Sequence, residues 1–363
     1  MTTRTRLTLF LTQLWIVSLI GCTAAPTQVL QTATQAPGDA VGVYFPTTGW
    51  LTASPEEQGM DAQRLDQMLN KIREENLNLH SLLIIRNGYI VSETYFSNNR
   101  QDTPHELYSI TKSFIATLVG IALDRGDIQR LDQRVLEIIP AETIENLDAN
   151  KERMTIEHLL TMRPGLDWQE GDSAYRQMYM SSDWVRYVLD KPMIHPPGEV
   201  FNYCSGCSHV LSAVLQQVTG MNPLDFAKQA LFEPLGISQI AWDLDADGIP
   251  IGGWGLHLTP RDMAKLGYLY LNDGMWDGKR IVSAEWVKAA TQKHTDTDNI
   301  LGYGYQWWIY PSYGAYAALG LYGQMVFVAP EANLIVVTTA GLDNHNEIFR
   351  LVEESILPAV QRP

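Results

Sequence analysis

Apolar residues recur along this chain in two rhythms, and the points where the rhythm changes divide it. From Asp61, the positions Leu65, Met68, Leu69 and Ile72 fall at helical spacing behind a residue suited to cap a helix, which predicts an amphipathic helix. Residues 81–96, SLLIIRNGYIVSETYF, switch to two β-rich runs around Asn87-Gly88, the strongest short hairpin signal. From Ser109 to about Ala290 the pattern is mostly helical, broken by turns such as Arg163-Pro164-Gly165 and Pro196-Pro197-Gly198. The tail returns to strands in GYQWWIYP, YAALGLYGQMVFVAP and NLIVVTTAG. It closes on an amphipathic helix carrying Ile348, Leu351, Val352 and Ile356. Strands at both ends with helices between predict an α/β (α+β) fold. One antiparallel sheet is built from both chain ends, covered by helices from those ends and interrupted by a large, mostly helical insert. A site is expected where sheet meets insert.

The first residues keep neither rhythm. Arg4 and Arg6 precede Leu7–Ile20, an apolar stretch short for a bilayer span and of the length of a signal-peptide core. It lacks the polar face of a surface helix. Leu19-Ile20-Gly21-Cys22 resembles the lipobox of bacterial lipoproteins. That resemblance implies removal of residues 1–21, lipidation of Cys22 and anchoring to a membrane outside the cytoplasm. Thr23 in place of an Asp points to the outer membrane if the cell is Gram-negative. Residues 22–48, rich in Thr, Ala, Pro and Gln, read as a tether, leaving 49–363 as the folded domain.

Composition narrows the class only a little. At 363 residues and 45% hydrophobic the chain can bury a large core, and a formal net charge of −15 without a basic stripe argues against nucleic acid. Candidate chemistry begins at ELYSITKSF. Ser109 and Lys112 lie three apart at the head of Ile110–Gly126, a run apolar nearly all round and so a core helix. Chance supplies roughly one or two S-x-x-K matches in a chain of this length. Position says more: on one helix face the two can exchange a proton, and burial would lower the lysine pKa. An N-cap serine with a snorkelling lysine is the equal alternative on context alone.

SITKSF followed by LVGIALDRGDIQRLDQRV resembles the serine β-lactamase and penicillin-binding-protein superfamily. The branch it resembles holds class C β-lactamases, family VIII carboxylesterases and 6-aminohexanoate-dimer hydrolases. The likeness runs from about residue 50 through MTIEHLLTMRPGLDW, PPGEVFNYCSG, GGWGLHLTPRDMAKLGYLYLNDG and YGQMVFVAP. It implies a β-lactamase-like fold and an acyl-enzyme mechanism with no cofactor and no metal. Ser109 would be the nucleophile. Tyr203 would be the base, its pKa held down by Lys112. The second motif ends in Ser205 where the family pattern has Asn, a hydroxyl still able to bond Lys112. The third motif, K-T-G, is absent; Ala318-Leu319-Gly320 takes its place, with the Leu321 N–H as second oxyanion donor beside that of Ser109. Acyl transfer survives that change, whereas the cation that would pair with a β-lactam carboxylate is lost.

Other features compete for attention. Tyr270-Leu271-Asn272 is a literal Y-x-N, but Tyr270 continues the apolar stripe of Met263, Leu266 and Leu269. Cys204 and Cys207 form C-x-x-C without a second pair for zinc or a thioredoxin-type βαβ unit, so inert or structural cysteines are expected, a pair that could oxidise to a small disulfide outside the cytoplasm, with its redox state left open by the sequence. His209 is expected to be packed and hydrogen-bonded, and Glu157 to serve a cap spanning Thr155–His158. For Trp307, Trp308, Tyr310, Tyr313 and Tyr322, an apolar substrate pocket and plain sheet packing stand level. The expectation is a serine hydrolase of a small ester, amide or short peptide. A D,D-peptidase or β-lactamase is the alternative within the class, and an inactive binding protein or a redox role of Cys204 lies outside it. Oligomeric state is not encoded in any of these patterns.

Overall fold

Two apolar runs and a turn with the left-handed geometry that Asn-Gly favours start the sheet. Leu79–Arg86 (β1) and Tyr89–Tyr95 (β2) pair antiparallel across Asn87 and Gly88, whose φ values are 53° and 85°. This is a computed structural model, and it describes residues 44–139, 144–297, 301–344 and 346–361. The expected signal peptide, Cys22 and residues 22–43 of the expected tether lie outside these. The domain begins earlier than residue 49. Phe45 packs on the rings of Tyr268 and Trp276, and the Leu51 N–H donates to the Tyr44 hydroxyl at 2.7 Å.

Six more strands complete the sheet: Thr295–Asp296 (β3), Gly302–Tyr303 (β4), Trp308–Tyr310 (β5), Ala315–Gly320 (β6), Gln324–Ala329 (β7) and Leu334–Ala340 (β8). Their spatial order is β2-β1-β8-β7-β6-β5-β4-β3, antiparallel throughout, so the chain's two ends meet at β1 and β8 as the pattern predicts. The central strands are apolar at successive positions because both sheet faces are covered. Leu82, Ile84, Phe327 and Val336 face one core with Leu65, Met68 and Ile72 of helix α1 (Ala62–Glu74), which Asp61 caps as expected. Leu83, Ile85, Val326 and Val337 face the other core, shared with the helical insert.

Within the insert, helix α2 (Thr111–Arg125) is buried from Thr111 to Ala122. Gly120 is required there: a Cβ would sit 2.4 Å from the Trp286 ring. Helices Asp172–Met180 (α3), Ser205–Thr219 (α4) and Pro260–Leu271 (α5) follow, α4 ending at Gly220 in the left-handed conformation that glycine favours. The helical reading missed a second, three-stranded sheet, in which Leu256–Leu258 pairs with both His105–Glu106 and Ala241–Trp242. These strands are two or three residues long, too short to show a period of two.

Candidate active site

That small sheet ties the chain just before Ser109 to the loop after Pro250. The Leu107 N–H donates to the Leu256 carbonyl at 2.8 Å, and the Leu256 N–H to Thr111 Oγ1 at 3.3 Å. Tyr108, held at φ 47° with its ring edge-on to Tyr322, turns the chain into a 3₁₀ turn over Tyr108–Ile110 that leads directly into α2. Ser109 therefore stands at the helix head. Lys112 lies beneath it, 1% exposed, and its Nζ donates to Ser109 Oγ and to the Gly253 carbonyl, each at 2.8 Å. Both acceptors are neutral. Burial accordingly lowers the Lys112 pKa from 10.5 to about 8, with the Glu170 carboxylate acting in the opposite direction.

Tyr203 approaches from the head of α4. Its ring stacks on Trp308 at 5.7 Å and lies 4.9 Å from Lys112 Nζ. Sequence reasoning expected Lys112 to hold the Tyr203 pKa down. Instead burial raises it well above 10, only partly opposed by interaction with the Ser109 hydroxyl, so the resting side chain is a neutral phenol. Ser205 also departs from expectation. It does not bond Lys112; its N–H donates to Glu170 Oε2 at 3.0 Å and its hydroxyl to Glu170 Oε1. A carboxylate is the stronger acceptor for a short hydroxyl, and Gly253 fills the Lys112 position instead.

Strand β6 forms the opposite wall. A Cβ on Gly320 would meet the Leu107 carbonyl at 2.3 Å, so glycine is what lets the strand pass against the Ser109 turn. Ser109, Tyr203, Glu170 and Tyr175 line a cleft of about 430 Å³ together with the apolar Leu319, Leu321, Trp308, Leu301 and Phe349. Ala318 is buried, and among the described residues lining the cleft the only charged one is Glu170. The structure thus brings together Ser109, Lys112, Tyr203, Ser205, Gly320 and Leu321. Of the named aromatics, Trp308 lines the cleft and Trp307 packs on Tyr270, while Tyr310 and Tyr313 line a neighbouring cavity. Tyr270 is the expected decoy, its hydroxyl paired with Thr117 at 2.9 Å.

Cys204 and Cys207 are joined in a disulfide directly after Tyr203. His209 is fully buried and bonds Asp245 at 3.0 Å, while the Gly252 N–H donates to its Nδ1 at 3.4 Å; it braces the loop that presents Gly253. Glu157 takes part in the first turn after Thr155 and accepts from the Tyr305 hydroxyl at 2.7 Å. Two site residues escaped sequence reasoning. Glu170 has no motif of its own, and Gly253 acts through a carbonyl that every residue possesses.

The family profile described as Beta-lactamase matches residues 65–360. The 6-aminohexanoate-dimer hydrolase of Paenarthrobacter ureafaciens is 24% identical over 325 residues, covering 82% of each chain. Penicillin-binding protein 4 of Amycolatopsis lactamdurans is 25% identical over 287 residues, covering 66% of this chain and 73% of that one. The fold is similar to that of a family VIII carboxylesterase, with TM-score 0.65, 17% identity and coverage of 85% and 98%. A penicillin-binding protein from Bacillus halodurans gives TM-score 0.64 at 19% identity, covering 79% and 98%. At these identities the structural likeness speaks for the fold.

Proposed function

The chain belongs to the beta-lactamase family, and from that premise we propose that it is a serine hydrolase that cleaves an ester or amide through an acyl-enzyme on Ser109. One observation carries the reading: Lys112 Nζ lies 2.8 Å from Ser109 Oγ in surroundings that make its deprotonated form accessible near pH 8. Neutral Lys112 takes the Ser109 proton as Oγ bonds to the substrate carbonyl carbon. The N–H groups of Ser109 and Leu321 hold the resulting oxyanion. Collapse breaks the bond to the leaving group, which receives a proton from the Tyr203 phenol, replenished from Lys112. Water then attacks the acyl carbon, gives its proton back through the same pair and releases the acid, freeing Ser109.

Substrate charge follows from the walls. With apolar side chains, one carboxylate and no cation among the described residues that line it, the cleft suits neutral or amine-bearing acyl compounds better than a β-lactam or peptide carboxylate. The 6-aminohexanoate-dimer hydrolase and the family VIII carboxylesterase to which the chain is similar agree with such substrates. Lipidation at Cys22 and a membrane location are proposed with it, supported by Leu7–Ile20 and Leu19–Cys22. The test is hydrolysis of a short p-nitrophenyl ester and a chromogenic cephalosporin by purified protein beside Ser109→Ala. Ester turnover lost in the mutant, with little cephalosporin turnover, supports the reading; the reverse preference would favour a β-lactamase. Labelling with an alkyne-tagged fatty acid, lost in Cys22→Ala, tests the anchor.

A further inference from the structure

The loop between Gly165 and Gly171 carries a side chain whose bonds all point at the site without belonging to any of its three motifs. Asn202 Nδ2 donates to the Trp168 carbonyl at 2.9 Å and the Asp167 N–H to the Pro192 carbonyl at 2.9 Å, so the loop is held from two sides. Trp168 lies across the first turn of α4, where a Cβ on Gly206 would meet its ring at 2.8 Å. Its indole N–H donates to Glu170 Oε2 at 2.6 Å. The same carboxylate accepts from the Ser205 N–H, the Ser205 hydroxyl and the Tyr175 hydroxyl of α3. Four donors from three segments leave it one orientation.

We propose that Glu170 is a positioning residue of the hydrolase site: it fixes the head of α4, and Tyr203 with it, and supplies the negative charge that Lys112 faces. The inference rests on the hydrolase reading above. Two arguments support it independently. The first is geometric: at Ser205, where the family pattern has Asn, both the hydroxyl and the backbone N–H donate to Glu170. The second is electrostatic. Lys112 is buried between neutral oxygens, and Glu170 is the carboxylate that opposes its desolvation. The groups facing Glu170 are Lys112 on α2, Tyr175 on α3, Tyr203 and Ser205 at the head of α4, and Tyr303 on β4. Among these described residues Lys112 is the cation. A negative charge there keeps the proton on Lys112 to higher pH and disfavours tyrosinate.

The sign of the effect is fixed. Removing the charge lowers the Lys112 pKa, so the acidic limb of the rate profile moves to lower pH. The experiment measures, against pH, the rate at which a fluorophosphonate labels Ser109 and kcat/KM for a p-nitrophenyl ester. It uses the full chain as wild type, Glu170→Gln, Glu170→Asp and Ser205→Ala. In Glu170→Gln the limb should move down by about half a pH unit or more, with a plateau roughly tenfold lower from loosened geometry. Glu170→Asp should hold the limb near the wild-type position, and Ser205→Ala, which keeps the charge, should lower the plateau alone. A Glu170→Gln limb superimposed on that of the wild type would overturn the inference, as would an equal limb shift in Ser205→Ala. Should Glu170→Gln not fold, the Glu170→Asp and Ser205→Ala profiles still decide: a limb displaced in either would overturn it. Wild type that does not label at Ser109 would overturn the hydrolase reading itself.

Discussion

Two helices of this fold each bury a lysine, and their surroundings differ in the one respect that matters for chemistry. On α5, Lys265 Nζ pairs with Asp262 at 3.0 Å and donates to the Gly236 carbonyl at 2.9 Å. On α2, Lys112 has two neutral acceptors and no carboxylate in contact, only the more distant charge of Glu170. A buried ammonium beside its own carboxylate is a fastener. A buried ammonium facing a serine hydroxyl and a carbonyl is held close to giving up its proton, and that state costs folding stability.

The largest expected effect breaks this contrast at its functional end. Lys112→Met should lower ester kcat/KM by roughly a thousandfold or more, as removing a member of a coupled nucleophile–base set does. Thermal unfolding should nevertheless show a protein as stable as the wild type or more so, since desolvating the ammonium costs about 3 kcal/mol at neutral pH. A clear fall in Tm would mean that Lys112, like Lys265, is mainly a fastener. The companion variant, Lys265→Met, should lose about 2 kcal/mol of stability by leaving the part-buried Asp262 carboxylate with the Thr259 hydroxyl but no cation, with kcat/KM within about twofold of wild type.

The same contrast has a pH signature. Activity should rise with pH along an acidic limb near pH 8, the Lys112 value, as the neutral amine becomes available. Stability follows the same group: because its pKa is lower folded than unfolded, the unfolded chain binds more protons between pH 8 and 10.5. The Lys112 contribution to stability therefore grows as pH rises through that window, and denaturant midpoints for wild type minus Lys112→Met should show it. A limb near pH 6 would point to another titrating group.

How much of this was legible follows from which atoms do the work. Side chains on or beside long periodic elements could be read: Lys112 on α2 and Ser109 in the turn that opens it, the hairpin at Asn87-Gly88, and the pairing of β1 with β8 through continuous apolar runs. Tyr203 was legible through the motif before α4 and Tyr270 could be dismissed by its apolar stripe, but the direction of the Tyr203 pKa was not legible. That direction depends on burial against Trp308 and Tyr303, which is set by tertiary packing. Gly253 escaped because its contribution is a carbonyl placed by strands too short to leave a pattern. Glu170 escaped because its partners lie at Trp168, Tyr175 and Ser205, an arrangement of loop and helix head without a fixed spacing.

The smallest expected effect concerns Cys204–Cys207, which sits beside Tyr203 yet leaves its ring to be held by others. The bridge closes a short loop, so its loss should cost about 1–2 kcal/mol. The cap at the helix head survives reduction in part, because Cys204 Sγ already accepts from the Cys207 N–H at 3.0 Å and a thiol still can. Tyr203 stays stacked on Trp308 and edge-on to Tyr303. Dithiothreitol, or Cys204→Ser with Cys207→Ser, should therefore lower Tm by a few degrees and kcat/KM by less than about threefold. Measuring both in the same titration separates a staple from a switch: turnover that vanishes on reduction while the fold persists would show that the disulfide controls Tyr203, and would move this pair from the company of Lys265 to that of Lys112.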